Sequence, residues 1–323
     1  MKEGTKYILA GTVAAAAVVT AATAAAYGVS NVLLHMALDR EEPKTIAKSR
    51  ERITGGAQWQ AMAERMEQAA RKLRQCGCAR VELTARDGTP LVGHWFENPN
   101  ARRVVVAMHG WRSSWDQDFG LIAPFLHDNE CSVLYAEQRG QRSSGGDVMT
   151  FGLLEQYDCA DWVEWVQEHT VPELPVYLAG ISMGATTVLL AAGLELPDCV
   201  RGVVADCGFT SPHGIWQHVA EQNLHLRYDL CAGWVRRLCR QRLRSDLLDL
   251  STLDAMKNCR VPVLFVHGSD DSFVPVEMTY ENYKACAAPK QLLIVPGAGH
   301  GLSYLTEPTR YRQALLQFWQ TFG

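Results

Sequence analysis

The chain opens on its longest apolar run: from Tyr7 to Leu38 there is no Asp, Glu, Lys or Arg, and Ala and Val dominate. About 20 such residues suffice to cross a bilayer, and a helix without a charged side has nothing to show to water. Residues 1–38 are therefore expected to form a transmembrane anchor or signal segment. Lys2 and Lys6 ahead of the run resemble the start of a signal sequence, and Ala24 to Ala26 can be read as an A-x-A cleavage site. A signal's apolar stretch spans only about 7–15 residues, which favours an uncleaved, single-pass anchor. The flanks nearly balance in Lys and Arg. Lys2, Lys6 and the amino terminus stand against Arg40, Lys44, Lys48, Arg50 and Arg52, the second group diluted by Asp39, Glu41, Glu42 and Glu51. The signal-like start leans the reading toward an extracytoplasmic body.

Past the run the pattern turns amphipathic. Trp59, Met62, Met66 and Ala69 recur three or four apart, which predicts a linker helix within residues 39–79. From residue 80 onward, short β-type runs at 81–84, 91–96, 103–108, 132–136, 176–179, 200–205, 261–266 and 291–295 alternate with helical patterns. Several of these runs are apolar throughout, as strands are when both sheet faces are covered. The expected fold for 80–323 is α/β: a mainly parallel central sheet with helices on both faces. Residues 210–258 break the alternation with helical pattern only and read as a cap insertion. Within it Leu230, Cys231, Trp234, Val235 and Leu238 make an apolar face. Arg236, Arg237, Arg240 and Arg244 crowd the other side, a solvated face or one that meets anionic lipid or an acidic substrate.

Composition narrows the partners. With 323 residues, 47% of them hydrophobic, there is material for one large domain beyond the anchor. A formal net charge of −4 leaves no basic footprint for nucleic acid. The 10 cysteines are scattered, and Cys76-Gly-Cys78 lacks the second ligand pair that zinc needs, so buried thiols and no metal are expected.

The candidate chemistry lies at strand ends. Gly180-Ile181-Ser182-Met183-Gly184 follows one β run and opens an apolar helix, the context in which a sharp turn lifts a serine hydroxyl clear of a sheet. With 26 glycines in the chain the pattern alone is weak; its context is the argument. A serine nucleophile needs a base within hydrogen-bond reach and a carboxylate to hold the imidazole tautomer. His267-Gly268-Ser269-Asp270-Asp271 ends one later strand and Gly297-Ala298-Gly299-His300-Gly301 another, which nominates Asp271 and His300. Two N–H donors must meet the developing oxyanion. Met183 supplies one by position, and the His109-Gly110-Trp111 loop supplies the other from Trp111. Trp111 and Trp115 are also candidates to line an acyl pocket or, equally, to pack against a loop core.

These motifs, together with Arg139-Gly140-Gln141-Arg142-Ser143-Ser144-Gly145, resemble the α/β-hydrolase superfamily over residues 80–322. More narrowly, the chain resembles bacterial membrane-anchored serine hydrolases of the serine aminopeptidase S33 and acylglycerol-lipase-like type. That resemblance places the acid at Asp271 through the H-G-x-x-D-x-x-V-P pattern of His267 to Pro275. Two departures stand out: Glu137 where relatives usually have Asp, and Gln141-Arg142 where many have His-Gly. The expected reaction is cleavage of a carboxylic ester through an acyl-serine intermediate, with no cofactor, a small-molecule acyl substrate, and membrane contact through the N-terminal helix. Amide hydrolysis by a peptidase of the aminopeptidase kind is the alternative, and a non-catalytic binding module on the same fold is a third reading.

Overall fold

The computed structural model describes residues 2–41, 57–170 and 174–322, and the side chains among them except those of 2–19 and 57–61. The basic and acidic flanks proposed at residues 42–52 lie outside the described residues, and the side chains of Lys2, Lys6 and Trp59 are likewise not described.

Eight strands form one sheet: β1 (Ala79–Thr84), β2 (Pro90–Phe96), β3 (Arg103–Met108), β4 (Cys131–Glu137), β5 (Val176–Ile181), β6 (Val200–Asp206), β7 (Val263–Gly268) and β8 (Lys290–Val295). Their order is β1-β2-β4-β3-β5-β6-β7-β8. β1 and β2 pair antiparallel, β2 pairs antiparallel with β4, and the remaining neighbours are parallel. The seventh run begins two residues later than its hydrophobicity suggests because Pro262 has no N–H for a ladder; its carbonyl still accepts from Val203 N at 2.9 Å.

Each central strand is apolar on both sides because both sides are covered. In β3, Val104, Val106 and Met108 join the core under α5 (Glu155–His169), α6 (Met183–Ala191), α9 (Thr252–Asn258) and α10 (Val276–Ala285). Val105 and Ala107 point the other way, into the core under α2 (Ala57–Arg74), α3 (Trp115–Phe119), α4 (Ala123–Asp128) and α12 (Pro308–Phe322). The remaining helix of the body is the short α11 (Ser303–Thr306). The predicted linker helix is α2, which buries Ala70 and Leu73 and ties Arg74 to Asp116 of α3.

The helical insertion comprises α7 (Pro212–His218), a π turn, a 3-10 turn at Tyr228–Leu230, and α8 (Ala232–Leu243). Its last predicted stretch, α9, packs instead on α6 and α10 and belongs to the body.

The N-terminal helix α1 (Lys2–Leu38) does not end free. Ser30, Leu34 and Leu38, one helical turn apart, are buried against α8. Ser30 Oγ donates to Cys231 O at 3.2 Å, and Tyr27 meets Trp234 edge-on at 5.4 Å. The chain is pinned immediately afterwards, where Met149 N donates to Leu38 O at 2.8 Å and Arg40 N to Asp147 O at 3.1 Å. Burying the two leucines stabilises this docking by about 1.5–3 kcal/mol each. They share a third apolar cluster with Phe151, Met183, Phe209 and the cap.

Candidate active site

Ser182 stands on the turn from β5 into α6 with φ 57° and ψ −118°, a left-handed conformation that costs a non-glycine residue about 1–3 kcal/mol. The turn can be this tight only because its neighbours have no side chain. A Cβ on Gly184 would lie 1.9 Å from the Met108 carbonyl oxygen, and one on Gly180 would lie 2.2 Å from the Gly184 oxygen. The strain sets the hydroxyl at the N-terminus of α6, where backbone N–H groups lack intrahelical acceptors.

Three side chains from separate strand ends are hydrogen-bonded in series. Ser182 Oγ lies 2.9 Å from His300 Nε2, and His300 Nδ1 lies 2.7 Å from Asp271 Oδ2. A carboxylate only accepts, so Nδ1 carries the ring hydrogen and Nε2 is left to accept from the serine. The other Asp271 oxygen accepts from the N–H groups of Phe273 and Val274, both at 2.9 Å. The carboxyl group is held well below the usual carboxylate range, since hydrogen bonds from His267 and His300 outweigh the opposing effect of its burial. Asp270 is exposed and accepts only from Ser269 Oγ, at 2.6 Å.

Opposite the serine runs the loop after β3. A Cβ on Gly110 would lie 3.3 Å from Ser182 Cβ, so the loop passes close against the serine. It is fastened by Asp118, which accepts from Gly110 N at 2.6 Å and from Ser113 Oγ at 2.5 Å. Gln141 Oε1 holds the next turn by accepting from Arg112 N at 2.7 Å. His109 is buried, donating from Nδ1 to Gly110 O at 2.8 Å and accepting Gln138 N at Nε2 at 3.1 Å; desolvation lowers its pKa and keeps it neutral. Trp111 and Met183 therefore flank Ser182 from this loop and from the helix start.

Sheet order and the elbow geometry at Ser182 point to one family, and the comparisons decide it: the profile of the alpha/beta hydrolase family matches residues 104–314. The chain belongs to that family. Among its relatives is the Bacillus subtilis protein YqkD, itself uncharacterized, 26% identical over 238 residues, 72% of this chain and 75% of that protein. Among solved structures, an esterase of Pyrococcus furiosus superposes with a TM-score of 0.64 at 22% identity, over 78% of this chain and 93% of that one. A puromycin-hydrolyzing peptidase of Mycobacterium tuberculosis reaches 0.58 at 19% identity, over 76% of this chain and 39% of that one. These two likenesses show the α/β-hydrolase fold.

Two cavities meet at Ser182 and Trp111. The larger, about 520 Å³, runs between the loop after β3, α2 and α12 and carries the carboxylates of Glu67, Asp118 and Asp206. The smaller, about 100 Å³, lies under the cap and is lined almost wholly by apolar side chains. Trp115, the other aromatic expected there, lines neither: it is buried in the α3 core, stacked on His94 at 4.1 Å. The proposed basic face of the cap is also largely spoken for. Arg236 pairs with Asp249 at 2.5 Å, Arg240 pairs with Asp246, and Arg237 lies over the Trp234 ring at 5.5 Å.

Both sequence departures have structural employment. Glu137 accepts from Ser143 N at 2.5 Å and His94 Nε2 at 2.8 Å, while Gln141 makes the Arg112 contact described above. Sequence reasoning missed His267, whose Nε2 donates to Val274 O at 2.9 Å and stands 3.2 Å from Asp271 Oδ2. It also missed Asp118, signalled only by its place one helical turn past the loop. Cys207 offers a sulfur within 4.8 Å of ligand atoms of Asp271 and His300. Burial raises that thiol's pKa well above the ordinary value, so it is protonated, and the other two groups are bonded to each other; the set is a poor fit to a metal.

Proposed function

We propose that the protein is a serine hydrolase that cleaves a carboxylic ester through an acyl-serine intermediate. Ser182 Oγ attacks the ester carbonyl as its proton passes to His300 Nε2, and Asp271 holds the ring and stabilises the imidazolium that forms. The N–H groups of Trp111 and Met183 receive the oxyanion. His300 then gives the proton to the departing alcohol, and a water activated by the same nitrogen releases the acid and restores the serine. The single observation carrying this reading is the unbroken run from Ser182 Oγ to His300 to Asp271, at 2.9 and 2.7 Å.

Ester is favoured over aminoacyl amide by the state of the carboxylates that line the larger cavity. An aminopeptidase must hold a substrate ammonium. Glu67 is engaged by Arg74 at 3.0 Å, Asp118 by Gly110 and Ser113, and Asp206 by Ser303 at 2.9 Å, so each already has a donor. Hydrolysis of a p-nitrophenyl ester series beside aminoacyl anilides, by wild type and Ser182→Ala, tests the reading. Ester turnover lost in the variant is expected; preference for anilides would overturn it.

The reading includes an anchor. Within α1, Thr20–Leu38 is apolar enough to cross a membrane. Since the helix is docked on the cap from Tyr27 onward, the stretch from Tyr7 to Ala26 is left for the bilayer. At 1.5 Å per residue it measures about 30 Å, the thickness of a hydrocarbon core.

A further inference from the structure

The wall of the smaller cavity is not made by the hydrolase body and its cap alone. Leu33, Leu34, Met36 and Ala37, from the last two turns of α1, line it together with Ser182, Met183 and residues of the cap. This contact is built rather than incidental. Trp111 Nε1 donates to Ala37 O at 2.9 Å, and Arg112 donates to Met36 O at 3.1 Å and to Asp39 O at 2.6 Å. Thus the loop that passes close against Ser182 is itself hydrogen-bonded to the end of the N-terminal helix. Asp39, just past the helix end, also pairs with Arg242 of the cap.

We propose that the end of α1 is a wall of the acyl-binding subsite, and that the substrate's acyl part is a long aliphatic chain. The inference rests on the serine-esterase reading above and deepens it. Three observations choose the substrate class. Among the described residues no charged side chain lines this cavity, so it offers nothing to an ionised or strongly polar acyl group. Its volume of about 100 Å³ holds only the first few methylenes, since a 150 Å³ cavity holds one benzene. The rest of a chain must run outward along the seam between α1 and the cap. That way out is apolar: Leu224 lines the rim and is 39% exposed, and Val29, Val32 and Leu230 stand exposed nearby on the two partners of the seam.

The anchor supplies the source of such chains. With Tyr7 to Ala26 in the bilayer, Leu33 and Ala37 stand about 10–17 Å beyond Ala26 along the helix, close enough for a long chain leaving the lipid surface to reach them. The larger cavity, with its carboxylates and hydroxyls, is left for the alcohol part.

The test uses the full chain in phosphatidylcholine nanodiscs, comparing kcat/KM for p-nitrophenyl dodecanoate with that for p-nitrophenyl acetate. Leu33→Trp fills the wall and Leu33→Asp charges it without needing room; each is expected to lower the dodecanoate-to-acetate ratio at least tenfold. Tyr280→Phe, exposed on α10 and lining neither cavity, is expected to keep the ratio within about twofold. Labelling of Ser182 by a fluorophosphonate is read on every variant. If Ser182 labels and turns over acetate while both Leu33 variants keep the wild-type ratio, the wall assignment is overturned and the esterase reading stands. If the wild type neither labels nor hydrolyses either ester, the esterase reading fails, and this inference with it.

Discussion

His267 Nε2 lies 3.2 Å from Asp271 Oδ2, the same oxygen that accepts from His300 Nδ1 at 2.7 Å. Nε2 also faces the Val274 carbonyl at 2.9 Å, which can only accept, so that nitrogen carries the hydrogen and its bond to the carboxylate is a donated one. His267 is fully buried and touches no space where substrate can sit, which makes it a positioning residue.

Replacing it, as His267→Leu, removes one of the hydrogen bonds that depress the Asp271 pKa. A depressed carboxyl pKa contributes stability that is present above the unfolded value and lost as pH falls through the folded one. The variant should therefore lose stability on the acid side at a higher pH than wild type. At neutral pH kcat should fall about tenfold with KM unchanged. Urea unfolding across the acid range checks the first and steady-state kinetics on a short ester the second; an unchanged kcat in a folded variant would make His267 merely structural.

Two adjacent aspartates give a sharper contrast. Asp271→Asn keeps the shape but lets the amide favour the wrong imidazole tautomer, and kcat is expected to drop by about 10³–10⁴. Asp270→Asn touches only an exposed contact with Ser269 and should leave kcat within about threefold. Steady-state kinetics on the two variants in parallel decide it.

The elbow itself can be tested through stability. Gly184→Ala sets a methyl 1.9 Å from a backbone oxygen that has no rotamer to escape into, so β3 and α6 must part. A loss of more than about 3 kcal/mol is expected, with activity gone at temperatures where wild type is folded. Urea unfolding followed by circular dichroism measures it.

Asp206, at the end of β6, behaves oppositely to Asp271. Burial pushes its carboxyl pKa up to about 6 from an ordinary 3.8. A raised pKa means that its stabilising contribution is present below the unfolded value and is lost as pH rises through about 6. Asp206→Asn cannot ionise, so it should exceed wild type in stability at pH 8 by on the order of 1–3 kcal/mol and lose that advantage near pH 4. Paired urea titrations at the two pH values show whether the difference closes.

Most of this fold was legible because each element obeys a local rule. The eight strands announced themselves as β-type runs bounded by turn residues, several of them apolar throughout, and Ser182, Asp271 and His300 each follow such a run, where an α/β sheet presents its loops. What escaped notice depends on contacts between distant segments. His267 reads as part of a strand, and only its packing against Val274 and Asp271 gives it work. Trp115 looked like a pocket residue by proximity to Trp111, but a helix turns it into the α3 core. The N-terminal run read as a span throughout. Its composition cannot show that Ser30, Leu34 and Leu38 face a cap two hundred residues away (Ser30 meets Cys231 at a separation of 201 residues), since a helix apolar on every side carries no stripe to mark the docked face.

If Ser182 is a nucleophile activated by His300, its hydroxyl must take an electrophile covalently. The most direct measurement is mass spectrometry of the protein after treatment with a fluorophosphonate, with peptide mapping of the adduct. The account predicts one adduct, on the peptide bearing Ser182, absent in Ser182→Ala and formed at least a hundredfold more slowly in His300→Ala. A folded wild-type protein that forms no adduct at Ser182, or forms it equally fast without His300, would contradict it.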